Sequence, residues 1–331
     1  MRDSVESESR GFMKSRVILT AAELDFFTRL DLESLSAREL SDALELDERA
    51  STRLLDCLVA LDYLKKEQGR YRTTERGSRL SSAHPQSILP SVRHAIHLWN
   101  NWSHLTANIR QRANSSLRAG AGSLSDWDRQ AFIGAMDVAA RQLAQDISQK
   151  YNTAPYHRML DVGGGSGAYT IAFLNQNPML QAVLFDLAAV IPIARENVRQ
   201  ANLETRVSFV PGDFYVDELP RGCDLVLLSA IIHQNSPSQN LLLFQKIYRA
   251  LGNNGVLLIR DFVMDSTRTK PLSGAMFALN MLVGTQGGDT YTFEEIEGSL
   301  NEAGFGEVEL LTADGEKMDQ LVQARKSECR P

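Results

Sequence analysis

A histidine and an aspartate close two apolar runs of the chain. His233 ends Leu228-Ser229-Ala230-Ile231-Ile232-His233, and Asp261 ends Ile259-Arg260-Asp261. An imidazole oriented by a carboxylate is the pairing that removes a proton from a substrate, with the carboxylate fixing the tautomer. A histidine of ordinary pKa, near ~6.5, is mostly neutral at pH 7 and free to act as a base. The plainer reading of His233 is a loop or cap residue before a helix beginning near Pro237.

A second set of residues points to an adenosine-type ligand. Leu160-Asp161-Val162-Gly163-Gly164-Gly165-Ser166-Gly167 is a glycine loop between a strand and a helix. Such loops allow a tight turn and close backbone approach by a ligand at a helix N-terminus. Gly163-x-Gly165-x-x-Ala168 also satisfies the loose dinucleotide fingerprint, and a ligand-free turn is the plainer alternative. Asp186 ends the next apolar run about twenty residues on, where a carboxylate can accept both ribose hydroxyls. It could equally cap the following helix. Asp213, in Pro211-Gly212-Asp213-Phe214, ends a third run. Its carboxylate could take the exocyclic amine of adenine, with Phe214 against the ring; a simple loop turn is the alternative.

Alternating elements must position these groups. Strands are expected at Met159–Val162, Ala182–Phe185, Val207–Val210, Leu225–Ser229 and Val256–Arg260. Helices fit between them at about Ala168–Asn175, Ala188–Ala201 and Gln239–Leu251. Alternating βα units give a parallel sheet with helices on both faces, and ligands bind outside the carboxyl ends of such strands. A helix near Thr292–Ala303 and two strands, Glu307–Leu311 and Gln320–Ala324, joined by a turn at Asp314–Gly315, complete the chain. The first hundred residues read as helices. Ser36 and Glu39 fit a capping box, Leu54, Leu55, Leu58 and Leu61 stripe a third helix, and residues 63–73 alternate around a polar turn as a hairpin. Helices followed by a hairpin make a winged-helix pattern. Residues 88–112 and 126–149 are expected helices, and Asn114–Ser125 is a linker by composition.

The glycine loop, the acidic ends of strands two and three and the terminal strand pair resemble class I S-adenosylmethionine-dependent methyltransferases. The winged-helix start, LDVGGGSG, the GDF segment and a His after strand four narrow the likeness to the small-molecule O-methyltransferases, a family that includes plant caffeate and flavonoid enzymes and bacterial tailoring enzymes. The resemblance covers nearly the whole chain. It implies an α/β fold: a Rossmann-like methyltransferase sheet over 114–331, with a terminal antiparallel pair, preceded by a mostly helical winged-helix dimerisation domain over 1–113. It implies S-adenosylmethionine contacts at Gly163, Gly165, Asp186, Leu187, Gly212, Asp213, Phe214 and Ser229. It implies a small, aromatic acceptor and a homodimer.

The resemblance gives His233 and Asp261 their chemistry. A phenol has a pKa near ~10, so on the order of one molecule in a thousand is ionised at neutral pH. General-base removal of that proton contributes typically ~10²–10⁴ in rate, and holding the oxygen in line with the methyl group contributes the rest. The acceptor pocket is expected to include Trp99, Phe132, Met136 and Met281. Phe132 and Met136 match an F-x-x-x-M helix of the family, although Trp99, Trp102, Phe132 and Met136 read as core by pattern alone. Two departures stand out. Gln234 and Asn235 follow His233 in place of an acidic residue and a Trp. Thr290 falls where the family has a second carboxylate, with Asp289 one place away as a substitute.

Composition narrows the class. The chain has 331 residues, 43% hydrophobic and 23% charged, with a formal net charge of −6. That is an ordinary globular composition, long enough for about two domains. A mildly acidic chain is a poor general binder of nucleic-acid backbone. No apolar run approaches the ~20 residues that span a bilayer, so no membrane partner is expected. Cys57, Cys223 and Cys329 lie far apart and read as reduced thiols of a cytoplasmic protein. His94, His97, Asn101 and His104 share a helical spacing; a polar stripe is expected there rather than a metal site. Other readings stay open: a winged-helix regulator binding DNA through Arg49, Arg53, Lys65 and Lys66; a dinucleotide oxidoreductase; and a methyltransferase acting on carbon, nitrogen or sulfur, or one that has lost transfer activity.

Overall fold

A computed structural model of the chain describes residues 2–110, 126–312 and 317–326. The expected domain boundary at 113/114, the linker, the turn at Asp314–Gly315 and Cys329 lie outside the described residues. The chain divides into two units, residues 1–100 with 130–138, and residues 101–129 with 139–331.

The first unit runs α1 (Arg2–Glu23), α2 (Phe26–Leu32), β1 (Leu35–Ser36), α3 (Ala37–Leu44), α4 (Glu48–Ala60), β2 (Leu64–Glu67), β3 (Arg70–Thr73), α5 (Glu75–Ser78) and most of α6 (Leu89–Trp102). The capping box forms: Glu39 N donates to Ser36 Oγ at 3.2 Å and Ser36 N donates to Glu39 Oε2 at 2.7 Å. The reciprocal pair satisfies two backbone donors that the first helical turn leaves open. The hairpin turns at Gln68 and Gly69, both with positive φ, and β1 joins it in the antiparallel order β1-β3-β2. Its core gathers Ala21, Ala22, Phe26, Phe27, Leu30, Leu40, Leu55 and Leu58 with Leu64 and Tyr71. Of the cations on the DNA-binding reading, Lys66 is held by Asp56 at 2.7 Å.

The second unit holds α7 (Leu105–Arg110), much of α8 (Asp126–Lys150), and then β4 (Arg158–Val162), α9 (Ala168–Gln176), β5 (Gln181–Asp186), α10 (Ile191–Gln200), β6 (Val207–Pro211), β7 (Cys223–Ser229), α11 (Pro237–Ala250), β8 (Leu251–Asp261), β9 (Val263–Met264), α12 (Leu272–Gly284), β10 (Tyr291–Thr292), α13 (Phe293–Glu302), β11 (Phe305–Thr312) and β12 (Gln320–Lys326). The main sheet has the order β11-β12-β8-β7-β4-β5-β6. Strands β8, β7, β4, β5 and β6 are parallel, and β12 runs antiparallel to both β8 and β11. Strands buried on both faces read as continuous apolar runs, as Leu225–Leu228 and Val256–Ile259 do. One apolar layer packs α11 and α13 on one face; the other packs α8, α9 and α10.

Three differences from the sequence expectation have physical reasons. The second helix of the sheet domain starts at Ile191 rather than Ala188, where Pro192 in its first turn presets the helical φ. Strand β8 begins at Leu251, five positions before the expected Val256, because its polar start Gly252-Asn253-Asn254 hides the extension. Helix α12 was not expected: its sequence LSGAMFALNMLVG is apolar nearly all round, so it lacks the contrast between faces that announces a helix. No helix among the described residues is long and apolar enough to cross a membrane.

Candidate active site

The carboxyl ends of β4, β5, β6, β7 and β8 bring the expected residues to one edge of the second unit's sheet. After β4 the chain turns through Gly163 and Gly165, whose φ of 68° and 57° lie in the left-handed region that side chains resist. A Cβ on Gly163 would stand 2.6 Å from Ile231 Cδ1, whereas one on Gly165 would meet nothing within 4 Å. The loop is thus closed on one side and open on the other.

Asp186, at the end of β5, faces that loop. Its Oδ2 accepts from Gly165 N and its Oδ1 from Leu187 N, each at 2.7 Å. It does not cap the next helix, whose N-cap is Val190 with no side-chain bond. Burial pushes its pKa up, against those two hydrogen bonds. A carboxylate has about four acceptor sites, so two remain for hydroxyl donors. Asp161, beneath the loop, accepts from Thr170 Oγ1 at 2.6 Å, and burial pushes its pKa up to about 6. Past β6, Gly212 N donates to Asp186 O at 2.9 Å. Asp213 Oδ1 accepts from Tyr215 N at 2.9 Å, and the Phe214 ring lies 4.6 Å from that of Tyr215. Ser229, at the end of β7, accepts on Oγ from Arg260 Nε at 2.8 Å. An open loop and a ribose-distance carboxylate with unused acceptor sites fit the adenosine part of S-adenosylmethionine.

His233 sits in a single 3₁₀ turn, Ile232–Gln234, reached through Ala230 at φ 58°. Its Nδ1 lies 2.9 Å from both Asp261 oxygens. The side chains are 12% and 1% exposed. Asp261 Oδ1 also accepts from Phe262 N at 2.8 Å, which fixes the carboxylate. An ionised carboxylate only accepts, so it selects the tautomer with hydrogen on Nδ1 and leaves Nε2 as the acceptor. The Phe277 ring stands edge-on to the imidazole at 4.8 Å.

The segment after α12 clamps this turn. Asp289 N donates to His233 O at 2.9 Å, and the Tyr291 hydroxyl donates to Asn235 O. Tyr215 donates to Asn235 Oδ1 at 2.6 Å, and Asn240 Nδ2 to Ile232 O at 2.9 Å. A Cβ on Gly288 would lie 2.4 Å from His233 O and 2.7 Å from Thr285 Oγ1. Gly288→Ala is therefore expected to lower stability by about 1–3 kcal/mol through overpacking, read by denaturant unfolding, and to lower turnover with it.

Asp289 does not take up the role of a second carboxylate at the imidazole. Its Oδ2 receives Arg268 at 3.2 Å and its Oδ1 receives Thr290 N at 2.8 Å. Thr290 is buried. Among the described residues, only Asp261 places a carboxylate on the His233 ring.

The expected acceptor residues divide between the units. Met281 is buried on α12, one helical turn after Phe277, in the second unit. Phe277 was missed, although i and i+4 residues share a helix face. In the first unit, the Trp99 ring lies 6.5 Å from Phe12, with the Arg16 guanidinium 5.7 Å from its centroid. Phe132 stands edge-on to His94 at 5.3 Å, and Met136 is exposed. Burial pushes the His94 imidazole down to about 4. Helix α6 ends at Trp102, so His104 does not continue its face.

Comparison with known proteins decides the family. Residues 102–306 match the model of an O-methyltransferase domain, and residues 8–83 that of an O-methyltransferase dimerisation domain. The chain belongs to the O-methyltransferase family. It is 30% identical to the 3-hydroxy-5-methyl-1-naphthoate 3-O-methyltransferase of Streptomyces sahachiroi, over 90% of this chain and 88% of that protein. It is also 30% identical to the tetracenomycin polyketide synthesis 8-O-methyl transferase of Streptomyces glaucescens, over 95% and 94%. The crystal structure of human N-acetylserotonin methyltransferase in complex with S-adenosylmethionine superimposes with a TM-score of 0.81 at 25% identity, covering 98% and 97% of the two chains. The open loop and the Asp186 carboxylate fit S-adenosylmethionine, the ligand of that human structure. The family assignment removes the oxidoreductase and DNA-regulator readings.

Proposed function

We propose that this O-methyltransferase methylates a hydroxyl on a small aromatic molecule, with His233 as the general base. The observation that carries the reading is the 2.9 Å contact of His233 Nδ1 with both oxygens of the buried Asp261. S-adenosylmethionine, when bound, supplies an electrophilic methyl group on a sulfonium. Asp186 would hold the ribose hydroxyls, with Gly163, Gly165 and Leu187 lining the loop. Gly212, Asp213 and Phe214 would hold the adenine, and Ser229 would line the far side. His233 Nε2 takes the proton of the acceptor hydroxyl as that oxygen gains the methyl group. Asp261 keeps the imidazole in the required tautomer and stabilises the imidazolium that forms. Phe277 and Met281, on one face of α12, would flank the aromatic ring. The hydroxynaphthoate for which one Streptomyces relative is named, and the polyketide 8-O-methyl transfer for which the other is named, support that substrate class.

The working form is a homodimer built through the first unit, supported by the dimerisation-domain match, and its site is the cytoplasm. Light scattering on the eluting protein tests the first: a monomeric mass rejects it.

The cofactor assignment is tested by calorimetric titration with S-adenosylmethionine, S-adenosylhomocysteine and NAD. Asp186→Ala is expected to weaken the first two by about 10–100-fold, the worth of hydrogen bonds to a charged group. Unchanged affinity in the variant would remove Asp186 from the site, and binding of NAD alone would overturn the cofactor.

A further inference from the structure

Arg260 is a lone cation at the end of an apolar strand. Val256, Leu257, Leu258 and Ile259 before it are 0–1% exposed, and Arg260 itself is 7% exposed. Its Nε donates to Ser229 Oγ and its Nη1 to Met318 O, each at 2.8 Å. The guanidinium stands 5.2 Å from the centroid of the Tyr169 ring. Among the described residues no carboxylate comes within the 4.0 Å of an ion pair with it. Two neutral acceptors are a poor return for a buried guanidinium, since a buried charge is costly without an opposite one. Tyr169 is 7% exposed, and its hydroxyl, which has Ser229 as a polar neighbour, is buried and makes no well-formed hydrogen bond among the described residues. A cation and an under-bonded hydroxyl thus share one corner with Ser229.

The sheet order says what reaches that corner. Adenine and ribose groups fall at the ends of β6 and β5, and the glycine loop at β4. The next strand in the same direction is β7, whose last residue, Ser229, pairs with Arg260 of β8. A ligand laid from β6 across β4 carries its tail to this point. For S-adenosylmethionine that tail is the amino-acid head of methionine, with a carboxylate. Tyr169 is the second residue of α9, directly after the loop, so the helix N-terminus also favours an anion here.

We propose that Arg260, together with the Tyr169 hydroxyl, receives the α-carboxylate of the bound cofactor, and that this contact makes the enzyme select ligands with an intact amino-acid head. The proposal rests on the S-adenosylmethionine site described above. Guanidinium and carboxylate match as a charge-assisted pair, which supplies the buried cation with its missing partner.

The test is calorimetric binding of S-adenosylhomocysteine and of its decarboxylated analogue to wild type, Arg260→Met and Arg260→Lys, with adenosine as a probe of the intact site. Wild type is expected to prefer S-adenosylhomocysteine by about 10–100-fold, and Arg260→Met to lose that preference while binding the analogue as wild type does. Arg260→Lys keeps the charge without the fork and is expected to fall between the two. Should Arg260→Met fail to bind adenosine, the wild-type preference and the Arg260→Lys ratio carry the decision. An equal loss for both ligands, an unchanged ratio in the variants, or no preference in wild type overturns the proposal. Wild type that binds adenosine but neither S-adenosylmethionine nor S-adenosylhomocysteine would instead overturn the cofactor reading, and this inference with it.

Discussion

His233→Ala is expected to lower kcat at pH 7 by ~10²–10⁴-fold, the usual worth of a positioned general base. The affinity for S-adenosylhomocysteine should stay close to wild type, because the imidazole hydrogen-bonds Asp261 rather than the glycine loop or Asp186. The loss should also depend on pH. A phenol of pKa ~10 gains about tenfold in ionised fraction with each pH unit below that value. The variant's rate should therefore climb with that slope, while wild type, whose base takes the proton, should depend on pH less steeply. A variant rate that parallels wild type across pH 6–9 removes the base role and leaves His233 as a wall of the site.

Asp261→Asn is the second large effect. The exchange keeps size and shape but presents an amide that can donate where the carboxylate only accepts. The Nδ1–H tautomer loses its selection, and the imidazolium loses its counter-charge. A fall in kcat of ~10²-fold or more is expected, since a mis-set tautomer forfeits up to the whole contribution of the base. The phenyl edge of Phe277 and the Asp289 N–H to His233 O still hold the turn, so cofactor affinity should change little. Turnover and calorimetry on the same preparation check both halves. Full activity in Asp261→Asn would mean that the backbone clamp alone orients the ring.

The sheet was legible because its strands are short apolar runs separated by glycine, acidic and proline residues. Gly163, Asp186, Asp213 and His233 mark four strand ends in sequence, and the topology carries them to one edge. The pairing of His233 with Asp261 followed from the expectation that β7 and β8 are neighbours, which their register bears out. Helix α12 was not legible, because an all-round apolar helix has no face to read, and Phe277 was lost with it. Asp289 misled through proximity in sequence. One position along the loop decides whether a carboxylate meets the imidazole or Arg268, and here it meets Arg268. Arg260 carried a signal that was passed over: a charge inside Val256–Ile259-Arg260-Asp261, where burial on both faces was already expected.

The most direct measurement follows single-turnover transfer from methyl-labelled S-adenosylmethionine to a panel of hydroxylated naphthoates and related phenols, for wild type and His233→Ala, with products identified by mass spectrometry. The account predicts a labelled methyl ether from wild type, formed at least ~10²-fold more slowly by the variant at pH 7. Label on a nitrogen or carbon of matched acceptors but never on oxygen, or equal rates for the two proteins, would contradict it.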